Sequence, residues 1–400
     1  MSIRKNIDSE NHYDVIINGS GMVGATLACL LAQEDRKVAV IEASKILSKP
    51  QNFNIDAPYD LRVSAISRAS QKAFEKIKAW DTMLSMRALP YEIMDVWDAE
   101  GDGNVRFDSA ELGEPNLGHI IENSAVQSAV AKTMANFENV TVFQPTKLMQ
   151  FEVFTDRVEA TLENGEQLSA DLIVGADGAN SLVRTLAGID VTVDDYAQRG
   201  LVATVKTQDH HQFTAWQRFQ PTGPLAFLPL ADGSCSIVWT LPSDRADYFL
   251  SLNKTDFKIA LAEAFDHKLG KIIKVSDRAA FPLRGSQATP YVLDRIALIG
   301  DAAHTIHPLA GQGVNLGIKD AMELSQQLTA VSDCGSLKTL RRYERARRGD
   351  NVMTMRAMEG FRLLFGHSAS SVKTARNVGM NLFNQVPMIK NQVIKKAMGL

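Results

Sequence analysis

The sequence predicts an α/β fold in which one doubly wound unit is interrupted by a β-rich block. Three observations predict it. A buried strand, a glycine turn, a helix and a second strand follow one another between Tyr13 and Glu42. Alternating apolar residues and turn signals fill the stretch from about Leu201 to Phe281. A buried strand (Arg295 to Ile299) and a helix (Gly313 to Leu328) then return, so elements of one unit lie on both sides of the β-rich block.

The first strand, Tyr13 to Asn18, is a short apolar run. The glycines after it predict a turn, and the apolar run from about Met22 to Gln33 a helix. Lys37 to Ile41 is a second strand, ending at Glu42. Residues 46–60 are rich in Pro, Asn and Asp and predict a loop. Helices are predicted from Ser67 to Trp80 and from Ser124 to Phe137. Alternation at Thr141–Phe143, Val153–Leu162 and Glu166–Leu168, with Asn164-Gly165 as a turn, predicts strands and a hairpin. Asp171 to Val174 reads as a buried strand ending in Gly175. Turns at Pro221–Pro224 and Asp232-Gly233 divide the β-rich block.

At 400 residues the chain exceeds one typical core. A net charge of −3 argues against general nucleic-acid binding. Cys29, Cys235 and Cys334 are odd in number and far apart, which excludes a disulfide framework or zinc knuckle and fits a reducing, cytoplasmic setting. No apolar run is long enough to span a bilayer, and the polar start of the chain does not resemble a signal peptide. Charge is uneven. Residues 341–400 carry twelve Lys and Arg against three acids, a net +9 that leaves −12 on the rest. That asymmetry predicts an anionic partner for the C-terminal part.

Three short motifs carry the chemistry. Gly19-Ser20-Gly21-Met22-Val23-Gly24 follows a strand and opens a helix. Gly19 serves the tight turn, Gly21 lets a pyrophosphate approach the backbone, and Gly24 lets helix and strand pack closely. Glu42 stands 18 residues after Gly24, where a carboxylate reaches the hydroxyls of an adenosine ribose. The second motif runs from Asp171 through Asp177-Gly178 to Arg184; alone it reads as a plain Asp-Gly turn. The third, Ile299-Gly300-Asp301-Ala302-Ala303-His304, places an Asp able to bind polyol hydroxyls beside a close backbone. Alone it reads as a strand-end turn with an N-capping Asp.

In order and spacing the three motifs resemble the flavoprotein monooxygenases of the para-hydroxybenzoate hydroxylase type, over about Tyr13 to Asp320. The resemblance implies a glutathione-reductase-like FAD domain, an inserted β-rich substrate domain and a C-terminal helical segment. The implied FAD domain is residues 1–80, 107–185 and 285–335. The substrate domain is 81–106 and 186–284, and the helical segment is 336–400. The first motif then holds the ADP part of FAD, Asp177 contributes to FAD and NAD(P)H binding, and Asp301 bonds the ribityl chain.

A narrower resemblance rests on His307-Pro308-Leu309-Ala310-Gly311-Gln312-Gly313-Val314-Asn315-Leu316-Gly317-Ile318-Lys319-Asp320, which is similar to the signature of the ubiquinone-biosynthesis hydroxylases. Stretches such as Arg62–Ser67, Met86–Tyr91, Phe107–Leu112 and Ala397–Leu400 are similar to the branch acting on 2-octaprenyl-3-methyl-6-methoxy-1,4-benzoquinol. The glycine-rich loop and the helix starting near Gly313 would bring backbone amides of Gly313, Val314 and Asn315 against an anionic reduced flavin. Pro308, Gly311 and Gln312 would line the reacting face. Arg62 would lie in a loop beside the isoalloxazine, and Gln127 and Asn123 on a helix facing the flavin. Many relatives carry Arg where Asn123 stands, which leaves its role open. Trp216, Phe219, Phe227 and Trp239 serve equally as quinol-pocket walls or as ordinary sheet packing.

The resemblance implies FAD-dependent hydroxylation of a polyprenylated benzoquinol or phenol, with O2 and NAD(P)H, through a flavin C4a-hydroperoxide. The alternatives are another ring position, a non-prenylated phenol, or a non-catalytic prenyl-binding module of the same fold. Other ubiquinone-biosynthesis proteins are implied partners. A prenyl tail implies contact with an anionic membrane surface on the inner face, for which Lys390, Lys395 and Lys396 among Val393, Ile394 and Met398 are the candidate segment. The face Val352, Met355, Met358 and Phe361 reads as packing on the cofactor domain. No metal is expected: His304 and His307 have no carboxylate or Cys cluster to complete a site.

Overall fold

Five parallel strands form the centre of the computed structural model, which describes residues 12–45, 53–306 and 313–400. They run in the order Ile296–Leu298, Gln167–Gly175, His12–Asn18, Val38–Ile41 and Val140–Phe143. Val15, Ile16, Ile17, Val40 and Ile173 are fully buried, in one core with helix residues such as Leu27, Ala129 and Leu324 and with Val158 and Ala160 of an antiparallel meander. A meander of Leu148–Val153 and Val158–Leu162 joins the start of Gln167–Gly175 by antiparallel pairing. Helices Met22–Ala32, Asn123–Met134 and Gly313–Leu328 pack beside one another on this core. The helix predicted over Ser67–Trp80 is two, Arg68–Lys76 and Trp80–Leu84. Lys78 breaks it in the left-handed region at φ 61°.

Two long strands, Asp190–Thr207 and Ala279–Thr289, lead into a second sheet. It continues through Cys235–Pro242, Gly223–Pro229, Thr214–Gln220, Ile93–Asp98 and Asn104–Asp108. The last two strands come from far earlier in the chain: Ile93–Asp98 pairs in parallel with Thr214–Gln220, and Asn104–Asp108 pairs antiparallel with Ile93–Asp98. One face is sealed by helices Ser243–Ser251 and Lys254–Ala264, which contribute Phe249, Phe257 and Leu261. Trp216, Phe227 and Trp239 belong to this core, with Phe227 stacked on Phe265 at 3.7 Å. The packing reading therefore holds for these three. Phe219 points to the opposite face and stacks on Phe365.

Three helices, Leu337–Gly366, Ser370–Asn384 and Pro387–Met398, close the chain. Their cations find partners on its own acidic body. Arg376 pairs with Asp98 at 2.5 Å, Lys373 with Glu100 at 2.6 Å and Lys390 with Glu111 at 3.0 Å. The expectation that Lys390 meets a membrane fails here. Its ammonium is buried and also donates to the Arg106 carbonyl at 2.9 Å. Ile394 and Met398 likewise pack against Leu117. Met358 lies against Val96, Phe219 and Phe365, so the Met-rich face packs on the second sheet rather than on the cofactor unit. Asn377, Asn381 and Asn384 lie along one side of their helix. Their side-chain oxygens accept from the N–H groups of Gly103, Asn104 and Arg106 at 2.6, 3.1 and 3.1 Å, covering the edge strand Asn104–Asp108.

Two buried histidines set an acid limit on stability. His211 accepts from the Phe213 N–H at its Nδ1 (3.1 Å), and its Nε2 faces the Leu230 carbonyl at 3.1 Å, which is the neutral ring with its proton on Nε2. Burial, with His210 beside it, pushes His211 down to about 4, and burial with Arg68 nearby does the same to His119. A base whose native pKa is depressed contributes stability that is intact above its unfolded value of about 6.5 and is lost as pH falls toward about 4. Thermal midpoints measured from pH 7 downward should therefore drop through this window, and less steeply in His211→Gln. Equal slopes would show that His211 is not a source of the loss.

Candidate cofactor and active site

Three turns meet: the second touches the first at Ala176, and the third touches it at Val23. The first follows strand His12–Asn18. Gly19 has φ +103°, and a Cβ there would lie 2.5 Å from the Ala176 carbonyl oxygen; one on Gly24 would lie 2.0 Å from that of Gly19. Neither position admits a side chain. Gly21 differs: nothing lies within 4 Å of a Cβ built on it, and its backbone is extended. Helix Met22–Ala32 begins at this open point with no side chain capping it. Free amides and the positive end of the helix dipole thus meet open space, the cradle an anionic pyrophosphate requires.

The second turn follows Gln167–Gly175, the direct neighbour of the first strand. Asp177 accepts at Oδ2 from the Asn18 amide (2.8 Å) and the Leu182 N–H (2.7 Å), which fixes the turn. Its Oδ1 is buried and has no hydrogen-bond partner among the described residues. The third turn is Gly300–Ala302, with Gly300 at φ +58°. A Cβ on Gly300 would touch Val23 at 3.4 Å, and one on Gly317 would lie 2.6 Å from it. Arg184, buried, ties the second turn to the third by donating to Ala179 O at 2.7 Å and Ala302 O at 2.8 Å.

Asp301 is solvent-accessible on the third turn. Crowding by protein raises its carboxyl above the ordinary range, and the charges of His304 and Arg62 pull against that rise. The turn is held from behind by Asp320, which is fully buried. Its Oδ2 accepts from the Gly300 N–H (3.1 Å) and lies 2.5 Å from His304 Nε2; its Oδ1 accepts from Arg347 Nε at 2.8 Å. Burial pushes the Asp320 carboxyl up, but His304 and Arg347 outweigh burial and hold it below the usual range.

Glu42 lies beside the glycine loop. Its Oε2 accepts from the Ser20 N–H and hydroxyl (3.0 and 2.7 Å), its Oε1 from those of Ser44 (2.9 and 2.8 Å). Partial burial raises its carboxyl, and these four donors more than offset that, so it is ionised at neutral pH. Arg62 is exposed; its guanidinium lies 5.8 Å from the Phe281 ring, and its carbonyl accepts from the Asn123 N–H at 3.0 Å. The Asn123 side chain accepts from Ser64 Oγ at 2.7 Å, a positioning contact. Gln127 is exposed one turn further along the same helix face. The loop leading to Arg62 is pinned by a contact the sequence did not announce. Arg87 donates to both Glu122 oxygens (2.9 and 2.8 Å) and to Ala57 O at 2.7 Å, and Glu122 also accepts from the Asp60 N–H at 2.7 Å.

Gly313 is the first residue of helix Gly313–Leu328, with Val314 and Asn315 in its first turn, as predicted. The Asn315 side chain is committed to the fold: it accepts from Ser67 N–H (2.9 Å) and Ser70 Oγ (2.8 Å) and donates to Ala65 O at 2.8 Å. Pro308, Gly311 and Gln312, expected at the reacting face, lie outside the described residues, as does His307. Among the described residues, Asp14, Asp171 and Cys334 bring three ligand-type atoms together. Asp14 is engaged by Arg36 and the Lys37 N–H (3.1 and 2.7 Å), and burial pushes the Cys334 thiol up to about 12, so that cluster reads as structural.

A family profile described as FAD binding domain matches residues 12–356. The chain is 37% identical over 391 residues to 3-demethoxyubiquinol 3-hydroxylase of Escherichia coli, covering 97% of this chain and 98% of that protein. It is 34% identical over 435 residues to the mitochondrial ubiquinone biosynthesis monooxygenase COQ6 of Homo sapiens, covering 96% and 92%. The fold is similar to that of p-nitrophenol 4-monooxygenase PnpA from Pseudomonas putida, with a TM-score of 0.77 at 18% identity over 96% and 98% of the chains.

Two variants separate binding from folding. In Gly21→Val the new side chain enters open space, so the protein should fold normally yet purify without flavin; full 450 nm absorbance would refute the cradle. Asp320→Asn removes the buried charge that meets Arg347 and His304, leaving Arg347 paired with Asp350, and should cost about 1–3 kcal/mol in urea denaturation. An unchanged midpoint would remove Asp320 from its place in the scaffold.

Proposed function

The chain belongs to the FAD-binding family of ubiquinone-biosynthesis hydroxylases, and from that premise we propose that it hydroxylates the ring of a polyprenylated benzoquinol. The observation that carries the reading is the meeting of three turns through Ala176 and Val23, with an open anion cradle at Gly21 and the Gly300-Asp301 turn beside it. When bound, FAD supplies the oxygen chemistry, with electrons from NAD(P)H. The protein's own share is positional. In this reading the Gly19–Gly24 loop holds the pyrophosphate, Glu42 the adenosine ribose and Asp301 the ribityl chain. The amides at Gly313, Val314 and Asn315 stabilise negative charge on the flavin ring. Asp177 completes the cofactor contacts through its unpartnered Oδ1. Arg62, from its loop, and Gln127, from its helix, would face the cofactor ring. Pro308, Gly311 and Gln312 shape the face on which the quinol ring reacts and exclude water from it.

A prenylated substrate is drawn from a bilayer, since each buried CH2 is worth about 0.8 kcal/mol. No helix among the described residues is long and apolar enough to cross a membrane. The outward side of helix Pro387–Met398 carries Met388, 80% exposed, with Ile389, Val393, Lys395 and Lys396. We place the anionic-surface contact there, without Lys390.

Growth under 18O2 should put one labelled oxygen on the ring of the product, and a strain lacking the gene should accumulate the unhydroxylated quinol. Label from water, or normal ubiquinone in that strain, would sink the assignment. In vesicle sedimentation, Lys395→Gln with Lys396→Gln should release the protein from anionic lipid at low salt, while Met388→Asp weakens binding at every salt concentration. Binding unchanged in both would move the contact to a partner protein.

A further inference from the structure

One row of residues crosses the open face of the second sheet. Cross-strand register places Phe281 opposite Gly200 and Gly200 opposite Thr240. The Leu225–Trp239 pairing, stepped by one residue, brings Pro224 level with Thr240, and Pro224 is paired with Phe219. All five therefore face the side away from helices Ser243–Ser251 and Lys254–Ala264. The row spans four strand spacings, about 19 Å.

Its two ends differ. At one end Phe281 is 41% exposed beneath the Arg62 guanidinium, and Arg62 acts electrostatically on Asp301. At the other, Phe219 stacks on Phe365 with centroids 3.9 Å apart, and Phe361 lies 6.4 Å away. Between them Gly200 carries no side chain, so the row dips into a shallow trough bounded by Leu283, whose Cδ2 would lie 3.3 Å from a Cβ on Gly200. The trough leads to a cavity of about 230 Å³ lined by Thr240, Pro224, Phe219, Phe361 and Phe365. The polar groups on its wall are engaged elsewhere: the Gln198 amide donates to Thr222 O and Arg362 is paired with Glu359. The Gln220 amide likewise donates to Ala264 O, and carbon makes up a little over half of the surface offered, from Phe219, Phe361, Phe365, Pro221 and Pro224. Phe361, 45% exposed, continues it to the outside near the end of helix Leu337–Gly366.

We propose that this trough and cavity bind the isoprenoid chain of the substrate, with the ring held at the Phe281 end and the chain leaving past Phe361. The inference rests on the prenylated-quinol reading given above. A polar chain is disfavoured, because Thr240 supplies the row's one side-chain hydroxyl and Phe281, Pro224 and Phe219 offer only carbon; a flexible apolar chain gains by leaving water for these aromatic walls.

The test compares kcat/KM of the holoenzyme for a prenylated quinol and for its tail-less analogue. Phe361→Asp should lower the value for the prenylated quinol about ten-fold and leave the tail-less one nearly unchanged, with flavin absorbance intact. Wild-type protein provides a readout independent of folding. A quinol bearing a diazirine at the end of a short isoprenoid tail should label peptides containing Phe219 or Phe361. A wild-type preference for the prenylated quinol that survives in Phe361→Asp, or labelling confined to other peptides, overturns the site alone. Equal turnover of both quinols by the wild type overturns the prenylated-quinol reading beneath it.

Discussion

A single buried carboxylate organises the described site. Asp320 accepts from the Gly300 amide, from Arg347 of the long C-terminal helix, and meets His304 at the end of the third turn. An ion with no exposure is costly unless every oxygen is satisfied, and here they are, so the three elements cannot separate without stranding a charge. The Gly300 turn is then fixed in its left-handed conformation, and Asp301 faces outward as a result. Arg184 passes the same constraint on to the Asp177 turn through Ala302 and Ala179. Gly19 and Gly24 complete the arrangement by letting the first turn close on Ala176, and Gly317 by letting its helix close on Val23.

Much of this was legible in the sequence because it is local. A strand, a turn that only glycine can make and a helix announce themselves within about a dozen residues, and Gly19, Gly24 and the helix start at Gly313 stand where the spacing put them. What was not legible depends on partners far away in the chain. Asp320 and Arg184 each close a quoted motif, yet their roles rest on Arg347 and Ala302. Arg87 and Glu122 gave no periodic signal, although together they pin the loop before Arg62. Lys390 looked like a surface cation because helical periodicity cannot report an acid 279 residues earlier. The aromatic residues of the second sheet were ambiguous for the same reason: alternation assigns Trp216 and Phe219 to opposite faces but does not say which face is sealed.

The charge asymmetry has an internal resolution. A tail of +9 against a body of −12 suggested an external anion, and several of its cations instead clip the C-terminal helices onto Asp98, Glu100, Glu111 and Asp320. These pairs place helix Leu337–Gly366 so that Phe361 and Phe365 roof the open face of the second sheet. The acidic body and basic tail are thus one assembly device. What remains exposed at the far end is mixed: Met388, Ile389 and Val393 beside Lys395 and Lys396.

The asparagine ladder at 377, 381 and 384 bears on solubility. Asn104–Asp108 ends a nine-stranded sheet, and an uncovered terminal strand is a template for a second polypeptide to extend. Three amide oxygens, with Lys390 on the Arg106 carbonyl, occupy the sites such an intruder would use. A chain cut before Ser370 would therefore do more than shed an amphipathic appendage. It would expose a sticky border along which copies could zip together, so the final helices act as a built-in guard against polymerisation.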